Sequence, residues 1–100
     1  MTHEWKDKDG MPLAKLTVDD EVGITIELCA EENAKHANEI EEMQTLAMYP
    51  PKNEENIKGI QQADGWTRYQ FSKGKNWEFA KKDIEATFKF WIDGQTNLTE

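Results

Sequence analysis

His36 stands one helical turn after Glu32 and three residues before Glu39, so a helix here carries an imidazole between two carboxylates on neighbouring turns. Such a trio can hold a divalent cation, because imidazole nitrogens and carboxylate oxygens are common metal ligands. Three ligands from one exposed helix, with none from a second element, make a poor metal site. The plainer reading is a surface histidine among glutamates, and no metal or cofactor is expected. His3 lies within residues 1–9, expected to be flexible, and supports neither case.

Other chemistry is thinner still. Serine occurs once, as Ser72, and the chain holds no Ser/His/Asp order and no glycine-rich phosphate loop. The carboxylate pairs Asp19–Asp20 and Glu41–Glu42 are adjacent in sequence, and adjacent side chains do not converge on one substrate as a general acid and base must. The single Cys29 has no internal disulfide partner and no neighbouring base, so it reads as a structural thiol at a strand end. An enzyme is not expected.

Charge is the stronger signal. The net charge is -8, and residues 19–42 carry all of it, with nine acids against the single base Lys35; the other residues hold eleven acids and eleven bases. Residues 66–92 lean positive, with Arg68, Lys73, Lys75, Lys81, Lys82 and Lys89 outnumbering Glu78, Asp83 and Glu85. No apolar run approaches the roughly 20 residues a membrane-spanning helix needs, and the opening "MTHEWKDKDG" lacks the order of a secretion signal. A cytoplasmic protein with no membrane partner is expected.

The elements that must position these charges follow from periodicity. One hundred residues with 37% apolar content suit one small domain. "PLAKLTV" and "VGITIEL" alternate apolar and polar residues and read as strands joined through "DDE". A helix begins at residues 30–32 and runs to about Met48, stopped by Pro50 and Pro51. Wound at about 100° per residue, it places Ala34, Ala37, Ile40, Gln44, Ala47 and Met48 on one side and Glu31, Glu32, Glu39 and Glu42 on the other.

The polar stretch from Lys52 to Gly65 reads as a connector with one helical turn around residues 54–60. "WTRYQFS" and "NWEFAK" flank "KGK" and read as a hairpin, with Thr67, Tyr69 and Phe71 sharing a face. A rival parse runs one helix from Asn76 to Ile92, because Trp77, Ala80, Ile84, Phe88 and Trp91 fall within about 80° of a helical wheel. The hairpin followed by a helix is preferred, with Asp83 as N-cap, Gly94 just past the end, and a frayed tail over 95–100. The resulting order ββαββα is an α+β domain, an antiparallel sheet of two hairpins with two helices on one face.

Confinement of the excess charge to one quarter of the chain suggests a partner. The expected function is a non-enzymatic, protein-binding inhibitor. Asp19, Asp20, Glu21, Glu31, Glu32, Glu39 and Glu42 would present carboxylates to a basic surface, such as that of a nucleic-acid-binding protein, where phosphates would otherwise lie. Trp5 or Phe90 would supply an apolar anchor. Two alternatives are a single-stranded nucleic-acid binder, using Trp66, Tyr69, Phe71, Trp77 and Phe79 with Arg68, Lys73 and Lys75, and a homo-oligomer pairing acidic and basic sides. The overall acidity disfavours direct nucleic-acid binding.

Overall fold

The computed structural model describes residues 1–53 and 57–98, with side chains described for 1–53 and 57–92. Seven elements follow in order: β1 (Thr2–Lys6), β2 (Pro12–Asp19), β3 (Gly23–Leu28), α1 (Ala30–Met43), β4 (Ile60–Gln61), β5 (Thr67–Phe71) and α2 (Trp77–Leu98). The strands form one fully antiparallel sheet in the order β1-β2-β3-β5-β4. This is the expected α+β class, with both helices laid on one face. No helix among the described residues is long and apolar enough to cross a membrane.

The period of two read for β2 and β3 sets which face is buried. Ala14, Leu16 and Val18 of β2, Ile24, Ile26 and Leu28 of β3, and Thr67, Tyr69 and Phe71 of β5 point to the core. The opposite face is polar. There Glu4, Lys15, Glu27 and Arg68 stand in direct register across β1, β2, β3 and β5, so the charge sign alternates from strand to strand. Opposite charges in direct cross-strand register are mildly favourable.

The β2–β3 turn is closed by Asp19, whose Oδ1 accepts the backbone N–H groups of Glu21 (2.7 Å) and Val22 (3.1 Å). Those two bonds hold its carboxyl below the ordinary value. Gly23 follows at φ +117°, and a Cβ there would meet the Phe71 carbonyl oxygen at 2.1 Å. Only glycine allows β5 to lie this close to the start of β3.

Four expectations are corrected. Residues 2–6, expected to be flexible, form edge strand β1, and Trp5 is 8% exposed, packed against Phe88 at 5.7 Å between ring centroids. Trp5 is therefore core and not a surface anchor. Residues 77–81 are the start of α2, not a second hairpin strand, so the rival parse of one long helix is the correct one. Asn76, in left-handed geometry at φ 56°, leads into it, and Ala80, Ile84, Phe88 and Ile92 are buried to 1% or less. A 3.6-residue stripe of that bulk outweighs a four-residue alternation. Asp83 is consequently inside the helix rather than at its cap, Gly94 is within it, and the helix continues through residues 95–98, part of the tail expected to fray; residues 99–100 lie outside the described residues.

The third correction concerns α1, which ends at Met43 rather than Met48. Tyr49 is drawn into the core at 1% exposure, and its hydroxyl donates to Asp83 Oδ2 (2.7 Å) and the Ala80 carbonyl (3.2 Å). Reaching α2 this way requires turns at 44–49, and the carbonyl of Ala47 accepts from Lys75 N–H at 3.1 Å. Finally, the connector supplies edge strand β4, paired with β5, so the second hairpin is β4–β5. The helical turn expected over 54–60 falls partly on residues 54–56, outside the described residues; Ile60 is strand.

Candidate functional site

The expected acidic face begins with α1, whose orientation differs from the sequence reading. The buried positions are Glu32 (3% exposed), His36 (6%) and Ile40 (0%), with Asn33 and Ala37 half-buried and Ala34 exposed. On a 100° wheel this face is turned by about 60° from the alanine-centred one. Alanine methyls offer little burial free energy, about 0.8 kcal/mol per carbon, so they do not dictate which way a helix rolls.

Two contacts fix the roll. Tyr69 of β5 donates its hydroxyl to Asn33 Oδ1 at 2.5 Å, and Trp91 of α2 stacks on the His36 ring at 4.4 Å and 7°. His36 is therefore not a surface histidine. Its Nε2 lies 3.5 Å from Glu32 Oε2 and its Nδ1 lies 3.3 Å from Glu39 Oε1. Lys35 Nζ also approaches Glu32, at 3.5 Å. The trio is an interhelical packing device, and among the described residues no group of three or more His, Cys, Asp or Glu side chains is arranged to hold a metal ion.

The remaining acids fall into two places. Asp19, Asp20 and Glu21 sit in the β2–β3 turn, where Asp20 Oδ1 accepts from Trp77 Nε1 and Lys81 Nζ, both at 2.9 Å. Those hydrogen bonds hold the Asp20 carboxyl below its ordinary value and raise Lys81, which also pairs with Glu78 at 3.1 Å. This turn is thus partly neutralised by the carboxyl half. Glu31, at the other end of β3, is about 20 Å of strand away from it.

On α1 the exposed side carries Glu31, Lys35, Asn38, Glu39, Glu41 and Glu42. Among the described residues no lysine or arginine pairs with Glu31, Glu39, Glu41 or Glu42. Beside them an open groove of about 610 Å³ runs between the second half of α1, the 44–49 turns and the middle of α2. Among the described residues its apolar walls are Met43, Leu46 and Trp91, the carboxylates Glu39, Glu42 and Asp83 reach it from both helices, and no lysine or arginine lines it. Burial, then the hydrogen bond to Asp83, drives the Tyr49 phenol far above its ordinary value, so it acts as a fixed donor that orients Asp83.

Of the seven acids expected to act together, the structure brings Glu39 and Glu42 into this groove and leaves Glu31 exposed on the same helix. Glu32 is turned inward, and Asp19, Asp20 and Glu21 are set apart. Sequence reading missed Asp83, Trp91 and Leu46; the signal for the first two was the long-helix parse, which places Asp83 and Trp91 two turns apart on one flank. The aromatic set considered for nucleic acid is dispersed: Tyr69 and Phe71 are 1% exposed, and Trp77 is covered by Lys73 and Lys81 at 5.5 and 5.7 Å. Compared with protein-family models, curated proteins and solved structures, the chain matches none.

Proposed function

We propose that this protein is a non-enzymatic binding protein that engages a basic surface of a partner protein through the outer side of α1, and that it inhibits a nucleic-acid-binding partner by occupying the surface the phosphates would use. The observation that carries the reading is the row Glu31, Glu39, Glu41 and Glu42, exposed and without a lysine or arginine partner among the described residues. Acids elsewhere, such as Glu4, Asp20, Glu78 and Glu85, do have cationic partners. A surface on which acids outnumber the single base Lys35 speeds encounter with a basic molecule and orients it, with an effect that salt weakens.

The test is capture from a nuclease-treated lysate at low and moderate salt, followed by a gel-shift assay of the captured protein on its nucleic acid. The triple variant Glu31→Lys/Glu41→Lys/Glu42→Lys, with circular dichroism confirming the fold, is expected to lose capture and to stop inhibiting the shift. Equal capture by the triple variant would reduce α1 to a solvated face. Tight binding of the wild-type chain itself to single-stranded DNA would favour the nucleic-acid-binding alternative instead.

A further inference from the structure

We infer that the groove between α1 and α2 receives an arginine side chain from a basic segment of the partner, an inference that rests on the proposed function and names its point of contact. Three carboxylates converge on the groove from two different helices, with Asp83 oriented by Tyr49 at 2.7 Å. Between them lie the apolar surfaces of Met43, Leu46 and Trp91. An apolar or neutral occupant would desolvate the carboxylates without compensating them, so the complementary ligand is a cation with a hydrocarbon stem.

Arginine fits better than lysine, because its fork of N–H donors can serve carboxylates on opposite sides at once, whereas an ammonium is a compact and strongly hydrated point charge. Phe90, on the same helix as Asp83 and Trp91, is 79% exposed and is not among the residues that line the groove. The groove would therefore supply the specificity that a row of exposed carboxylates lacks, since rim charges alone contribute little to affinity.

The probe is the blocked tripeptide Ac-Ala-Arg-Ala-amide, titrated into the full ¹⁵N-labelled chain beside its lysine and citrulline counterparts. Citrulline keeps the shape of arginine and removes its charge. With arginine, on the order of 10 mM peptide should shift the amides of Met43, Leu46 and Thr87 and the Trp91 indole N–H. Lysine should bind several-fold more weakly and citrulline not at all. Glu42→Gln/Asp83→Asn should weaken the arginine response about tenfold, and Glu42→Gln alone, at an exposed position, should weaken it in the same direction should the double variant prove unstable.

Citrulline shifting the same signals as arginine, or arginine shifting none of them, overturns the assignment. Partner capture separates the two claims. Capture that survives Glu42→Gln/Asp83→Asn but is lost in Glu31→Lys/Glu41→Lys sinks the groove and leaves the proposed function standing. Capture that survives both sinks both.

Discussion

Helix α2 buries Ile84, Phe88 and Ile92 at four-residue spacing, whereas the equivalent positions on α1 are Glu32, His36 and Ile40. Each large apolar side chain buried contributes about 1.5–3 kcal/mol, so α2 carries roughly three times the apolar anchorage of α1. What holds α1 in place is instead directional: one hydroxyl–amide bond from Tyr69, one imidazole stacked on Trp91, and one buried carboxylate beside that imidazole. The comparison teaches a division of labour. A helix held by apolar bulk rests in any of several nearby rolls, while polar pins select one, and on α1 that selection decides which acids face outward.

The contrast can be broken most forcefully through α2. Phe88→Ala removes a fully buried ring that touches Trp5 and Trp91, and is expected to cost about 4 kcal/mol in urea denaturation. A loss under about 1 kcal/mol would mean that α2 is not the principal anchor. Next, His36→Ala leaves Glu32 buried without its imidazole and strips the stack from Trp91, for an expected loss of about 3 kcal/mol. A double-mutant cycle with Trp91→Leu sharpens this, because a stacked pair should show a coupling of about 1 kcal/mol and additive effects would deny that the two rings act together.

Smaller still is Tyr69→Phe, which removes the donor to Asn33 and leaves that half-buried amide oxygen without it; about 1–2 kcal/mol is expected from the same denaturation measurement. The smallest effect is that of Asp20. Its folded carboxyl titrates below its ordinary value of 3.8 because Lys81 and Trp77 donate to it. A depressed acid contributes stability that is present above the unfolded value and is lost as pH falls through the folded one. Thermal melts of wild type and Asp20→Asn should therefore differ slightly at pH 6 and converge as the pH drops below 3.8. A gap that persisted at the acid end would assign the effect to something other than this carboxylate.

Much of the sheet was legible in the sequence, because Ala14 to Val18 and Ile24 to Leu28 report their own burial through strict alternation. The alternating face of Thr67, Tyr69 and Phe71 was legible for the same reason. The segment Trp77–Lys81 was not, since so short a run fits both periods and only the continuation to Ile92 decides between them. The acidic face was half legible. Its location on one helix followed from composition, but its direction depended on Trp91 and Tyr69, which lie far along the chain and cannot be seen from within residues 31–43. Asp83 escaped notice because a mid-helix aspartate and a capping one look alike until the start of the helix is known.

The pairing of β3 with β5 joins residues about forty positions apart, and α1 lies within the span they enclose. Hairpins β1–β2 and β2–β3 close locally and lose little chain entropy, whereas this pairing cannot form until a long loop has closed. Tyr69, which pins Asn33, arrives with β5. The roll of α1, and with it the direction of its acids, should then be the last feature of the molecule to mature. Pulse-labelled hydrogen exchange during refolding should find β2 and β3 amides protected before those of β5, with the reverse order showing that the helices assemble first.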